Sequence, residues 1–105
     1  MAQFDVYTNP STKTRNAYPY IVDIQSPLIT DISTRIVILL GKLNHFRQEQ
    51  MRGLTPEITY LEESYLLLTP QIASMPSRLL KQPIGSLSDF REEISSALDF
   101  AVTGI

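Results

Sequence analysis

His45 and Glu49 stand four residues apart, the spacing that brings two side chains onto one helix face and at which two metal ligands can meet. The sequence holds one His and no Cys, so no further imidazole or thiolate completes such a set. The pair reads as a solvated polar stretch. Ser, His and Asp are all present, but no G-x-S-x-G elbow exposes a nucleophile. Gly85-Ser86 reads instead as the start of a helix cap. Glu62 and Glu63 are adjacent carboxylates at a turn, where neighbouring side chains point apart. The four glycines are scattered and form no phosphate-cradling loop. Tyr7, Tyr18, Tyr20, Tyr60 and Tyr65 fall in or beside strand patterns, where aromatics pack; base stacking on a sheet is the minority reading. Disulfide, zinc-thiolate and iron–sulfur chemistry are excluded, no metal site or cofactor is expected, and general acid–base catalysis is poorly supplied.

The elements around these residues form one small domain spanning 1–105, of which 43% is apolar. Net charge is −2, unevenly spread. Residues 1–53 carry six basic and four acidic side chains; residues 54–105 carry three and seven. Neither half is basic enough to bind nucleic acid unaided, so a protein partner fits better. The longest aliphatic run is Ile36–Leu40, far short of the ~20 residues of a membrane span. Asp5 falls where the apolar core of a signal peptide would begin, and a cytoplasmic setting is expected.

Period-two patterns predict strands over Gln3–Thr8 and Pro19–Ser26. Phe4 and Val6 oppose Asp5 and Tyr7, and Tyr20, Val22 and Ile24 oppose Asp23 and Gln25. Ile36–Leu40 reads as a strand buried on both faces. Glu57–Tyr60 and Ser64–Thr69 predict a hairpin turning at Leu61-Glu62-Glu63, with shorter strands at Gln71–Met75 and Arg78–Leu80. Pro70, Pro76 and Pro83 confine these to short or edge positions. Asn9–Ala17 and Gly41–Gly53 are loops, the second with a helical turn. From Ser86 the period changes. Leu87, Phe90, Ile94, Ala97, Leu98 and Ala101 form one stripe of an amphipathic helix, capped by Ser86 or Ser88 and stopped by Gly104. Asp99 and Thr103 lie on the opposite face. Phe100 lies off the stripe and calls for a partner or a covering loop. The fold class is mostly β with a C-terminal α-helix.

Together these segments resemble the CcdB family of bacterial toxins, which poison DNA gyrase. The resemblance runs through Gln3-Phe4-Asp5-Val6-Tyr7, Tyr20-Ile21-Val22-Asp23-Ile24-Gln25-Ser26, Arg35-Ile36-Val37-Ile38 and Leu54-Thr55-Pro56. It continues through Leu68-Thr69, Ala73-Ser74-Met75-Pro76, Leu87-Ser88 and the terminal Gly104-Ile105. The resemblance implies a small SH3-like barrel of the CcdB/MazF/Kid type, a homodimer and a mechanism without catalysis. Such toxins bind the DNA gyrase A subunit and trap its DNA cleavage complex. A cognate CcdA-like antitoxin neutralises the toxin, and the pair represses its own operon, so operator DNA is reached only through the antitoxin. Plasmid maintenance is the associated role.

By the same resemblance, gyrase-binding positions map to Leu28, Ile29, Asp99, Val102, Thr103, Gly104 and Ile105. Thr103 stands where the plasmid-type member has Trp, and Asp99 replaces an Asn. Ile38-Leu39-Leu40 stands where the family often has Ile-Pro-Leu. Lys13 and Arg15, in the first loop, are candidate contacts for an acidic antitoxin tail. Two alternatives are a MazF/Kid-like endoribonuclease and a weakly toxic chromosomal homologue that mainly binds antitoxin.

Overall fold

The computed structural model describes residues 2–26, 28–29 and 33–103. Seven strands form one antiparallel sheet: β1 Asp5–Thr8, β2 Tyr20–Asp23, β3 Thr34–Lys42, β4 Glu57–Tyr60, β5 Glu63–Leu67, β6 Ala73–Pro76 and β7 Gly85–Ser86. Their order is β4-β5-β3-β2-β1-β7, with β6 also on β3. The long β3 is the spine. One edge takes β2, with Val22 opposite Ile38; the other takes β6 at Thr34–Val37 and β5 at Leu40–Lys42. A short helix α1 (Leu43–Phe46) follows β3, and α2 (Arg91–Thr103) closes the described chain.

The sheet curls into a half-barrel, and aromatic side chains draw its ends together. Tyr20 of β2 packs edge-on against Tyr60 and Tyr65, at ring separations of 5.4 and 5.6 Å. The Tyr60 hydroxyl reaches from β4 towards β7 and donates to the Ile84 carbonyl. Gly85 is required there, because a Cβ at that position would collide with the Tyr60 hydroxyl. The result is the mostly-β, barrel-like class that the sequence predicts, with its C-terminal helix.

The central strands of the sheet carry an apolar cluster on each face. Inside the curl, Val6, Val22, Ile38, Leu40, Ile58 and Leu67 meet Leu87 and Ile94. On the other face, Tyr7, Ile21 and Val37 gather around Leu80. Each such aliphatic side chain contributes roughly 1.5–3 kcal/mol on full burial. The alternation in β1 and β2 is therefore correct as two faces. The second face is not a solvated one, however: Asp23 and Gln25 are both fully buried.

Other expectations need adjustment. Arg78–Leu80 is not a strand: Ser77–Leu79 is a 3-10 turn, and the Leu80 amide donates to the Ser77 carbonyl. Ser77 is tied to the Ser33 carbonyl through both its amide and its hydroxyl, so the chain turns after β6 and seats Leu80 in the second cluster. The β4–β5 hairpin turns on two residues, Leu61 and Glu62, both at positive φ, and Glu63 already pairs with Tyr60. Gly41 belongs to β3, not to the following loop, and has no room for a Cβ beside the Phe46 ring. Within the run expected to be buried on both faces, Ile36 is exposed and Leu39 only half-buried. The helical region opens with a 3-10 turn, Ser88–Phe90, before α2. Ser86 Oγ accepts from the Ser88 amide at 3.2 Å. Ile94 and Ala97 are buried as the stripe requires, whereas Ala101 is exposed: the stripe runs out before the helix does. The expected stop, Gly104, lies outside the described residues.

Candidate functional site

Three surfaces carry the residues singled out by sequence. The first follows β2. The chain leaves the sheet at Gln25 and turns at Ser26–Ile29, where the Ile29 amide donates to the Ser26 carbonyl at 3.1 Å. Ser26 Oγ accepts from the Leu28 amide at 3.2 Å. The turn lifts its apolar pair into solvent: Leu28 is 91% exposed and Ile29 44%. An apolar side chain held so far out gains nothing in the folded monomer; burial against a partner would recover its hydrophobic contribution.

This turn stands on a buried polar network. Asp23 accepts from Arg35 through Nε at 2.8 Å and a terminal nitrogen at 2.7 Å, a two-point charge-assisted pair inside the protein. The other Asp23 oxygen accepts from the Gln25 amide at 3.0 Å. The Gln25 side chain bonds both to Ile36 and to Ile29. Sequence reasoning placed Asp23 and Gln25 on one face but missed the network. Its signal was Arg35, a lone cation at the head of a long aliphatic strand.

The second surface is the far end of α2. Asp99, Val102 and Thr103 are all exposed, with Val102 at 80%. Thr103 Oγ1 donates to the Asp99 carbonyl at 2.6 Å. Its hydroxyl is thus occupied within the helix, and these two candidate residues are linked by one turn. Phe100, off the buried stripe, is exposed as well, at 42%. Gly104 and Ile105 lie outside the described residues. Among the described residues, no hydrogen bond or ion pair joins this helix end to the Ser26–Ile29 turn.

The third surface is the first loop. Asn9, almost fully buried, organises it: Nδ2 donates to the Tyr18 carbonyl and to Thr14, and Oδ1 accepts from the Ser11 amide. Arg15 Nε donates to the Asn9 carbonyl at 2.8 Å, which holds its stem across the loop. Arg15 and Lys81 enter one open cleft of about 670 Å³, walled by Tyr7, Thr8, Pro10, Leu79 and Gln82. The cleft has two cations, no carboxylate and an apolar wall. Lys13 is exposed on the same loop but does not line the cleft. Lys81 was not legible in sequence, because its place in the same cleft as Arg15 depends on the chain returning alongside β1, where the Ile84 amide donates to the Val6 carbonyl.

The remaining chemistry-bearing residues take quiet positions. His45 is exposed on α1, its ring tilted 6.1 Å from that of Phe46, and Glu49 is exposed beyond it. Among the described residues, no group of three or more His, Asp or Glu side chains is placed to hold a metal. Glu62 sits at the hairpin tip, and Glu63 accepts from the Tyr65 hydroxyl. The tyrosines pack. Burial, with Tyr20 and Glu63 beside it, pushes the Tyr65 phenol up to about 12. Burial, reinforced by Asp5 and Asp23 and opposed by Arg35, raises Tyr7 as well. No helix among the described residues is long and apolar enough to cross a membrane.

The family model described as CcdB protein matches residues 3–104, nearly the whole chain. The chain therefore belongs to the CcdB family.

Proposed function

We propose, from that membership, that the protein is the toxin of a type II toxin–antitoxin pair. It binds the DNA gyrase A subunit and traps the gyrase–DNA cleavage complex, without itself catalysing a reaction. The observation that carries this reading is the family match across residues 3–104. The Ser26–Ile29 turn and the end of α2 support it physically. Each presents apolar atoms bordered by polar groups, and such a surface fits protein recognition better than substrate turnover. Leu28, Ile29, Asp99, Val102 and Thr103 are the contacts, together with Gly104 and Ile105 by the same family correspondence. The working form is a homodimer in the cytoplasm.

Neutralisation is by a CcdA-like antitoxin whose acidic segment engages the first loop. The Arg15–Lys81 cleft suits a carboxylate beside an aliphatic side chain, since its cations and its apolar wall are adjacent. Lys13 adds longer-range attraction that salt will screen.

The direct test is binding of the purified chain to a gyrase A fragment, followed by calorimetry and repeated with saturating antitoxin. Binding that the antitoxin abolishes is the expected result. A chain that binds no gyrase A fragment would remove the proposal, and cleavage of single-stranded RNA by the same preparation would favour the endoribonuclease instead.

A further inference from the structure

Gln25 is 1% exposed, and both ends of its side-chain amide are bonded. The bonds are unusual in what they replace. β2 ends at Asp23, and the Ile24 amide still donates to the Ile36 carbonyl at 2.9 Å. The reciprocal bond of that ladder comes from a side chain: the Ile36 amide donates to Gln25 Oε1 at 3.0 Å. The backbone is thereby released from the sheet while the sheet's donor remains satisfied. The other end of the amide, Nε2, donates to the Ile29 carbonyl at 3.0 Å. The orientation of the amide follows from its partners, because Ile36 offers only a donor and Ile29 only an acceptor. Beneath it, Asp23 holds the Gln25 amide and is itself held by Arg35.

We propose that Gln25 is the positioning residue of the Ser26–Ile29 turn, bridging β3 to the Ile29 carbonyl and so fixing how Leu28 and Ile29 are presented to the gyrase A subunit. The inference rests on the reading of that apolar pair as a gyrase contact. A Leu–Ile pair on an untethered loop would lose conformational freedom on binding, and that loss subtracts from affinity. Here the bridge imposes the order during folding. The two nearest relatives of glutamine serve less well. Asn is one methylene shorter and cannot span both partners. Glu accepts from Ile36 but has no donor for Ile29 when ionised, and it adds charge beside Asp23.

The test compares the full-length chain with Gln25→Met, of similar length but unable to make either bond. Gln25→Asn is the second variant, to be read if the first does not fold. A third, Ile58→Val or Ile58→Ala, truncates the core at β4 and is chosen to match the lowered melting temperature. Amide exchange of Leu28 and Ile29 reads the bridge with no partner present. Calorimetry with a gyrase A fragment reads its consequence. The proposal expects exchange at the turn to rise at least tenfold and gyrase affinity to fall at least tenfold in the Gln25 variant. The matched core variant should hold gyrase affinity within threefold, and antitoxin affinity should be unchanged in both. Unchanged turn exchange, or gyrase affinity within threefold of the parent, overturns it. If the parent chain itself binds no gyrase, the functional reading fails first, and the exchange data separate that outcome from a failure of the bridge.

Discussion

The Ser26–Ile29 turn and the end of α2 both expose apolar side chains, but they are held in opposite ways. The turn is secured from below by long-range bonds: Asp23 to Arg35, and Gln25 to both Ile36 and Ile29. The helix end is secured locally. Its buried stripe stops at Ala97 and Leu98, and beyond that the side-chain support is the Thr103 bond back to Asp99. The difference separates two kinds of sensitivity. Substitutions deep in the sheet should disturb the turn without touching it, whereas the helix end should respond only to changes in its own contacts.

The largest break in this comparison is Asp23→Ala. It leaves the Arg35 guanidinium buried and unpaired and removes the acceptor of the Gln25 amide. A loss of about 3–5 kcal/mol in chemical denaturation is expected, with replacement of both partners by apolar residues recovering much of it.

Alkaline titration gives the next effect and acts on neither surface directly. The Tyr65 phenol ionises near 10 when unfolded and about 12 when folded, so the folded state holds its proton over that window. Stability is therefore full below pH 10 and declines as pH rises towards 12, by up to roughly 2–3 kcal/mol. Tyr65→Phe should lessen that decline in a pH series of melting temperatures, with Tyr7 and Tyr60, also raised by burial, supplying the remainder.

Leu28→Ala should weaken gyrase binding by about 1–2 kcal/mol while changing stability by less than ~0.5 kcal/mol. Thr103→Trp should give the smallest effect, a gain of about 0.5–1 kcal/mol in gyrase affinity if the indole stacks on a cation of the target. Equal responses of the two surfaces to Asp23→Ala, measured as amide exchange at Leu28 and Ile29 against Val102 and Thr103 in the folded fraction, would erase the distinction.

The strands were readable because their alternation survives in the structure, down to Val6 and Tyr7 on opposite faces. What alternation cannot tell is whether the polar-bearing face is wet. Asp23 looks like a surface residue until Arg35 is brought alongside it by β3, a pairing set by register and not by spacing. The Arg15–Lys81 cleft was hidden for the same reason. Arg78–Leu80 failed as a strand because the turn depends on Ser77 bonding to the distant Ser33. Leu28, Ile29, Asp99 and Thr103 could be named from the family resemblance, and the helical period already turned Asp99 and Thr103 outward; what the structure adds is the exposure of Leu28 and Ile29.

The central claim is tested most directly by incubating the purified chain with gyrase, ATP and supercoiled DNA, then denaturing with detergent. The account predicts that covalent gyrase–DNA complexes accumulate with toxin concentration and fall when antitoxin is added or Leu28→Ala is used. Supercoiling that proceeds normally at saturating protein, with no trapped complex, would contradict it.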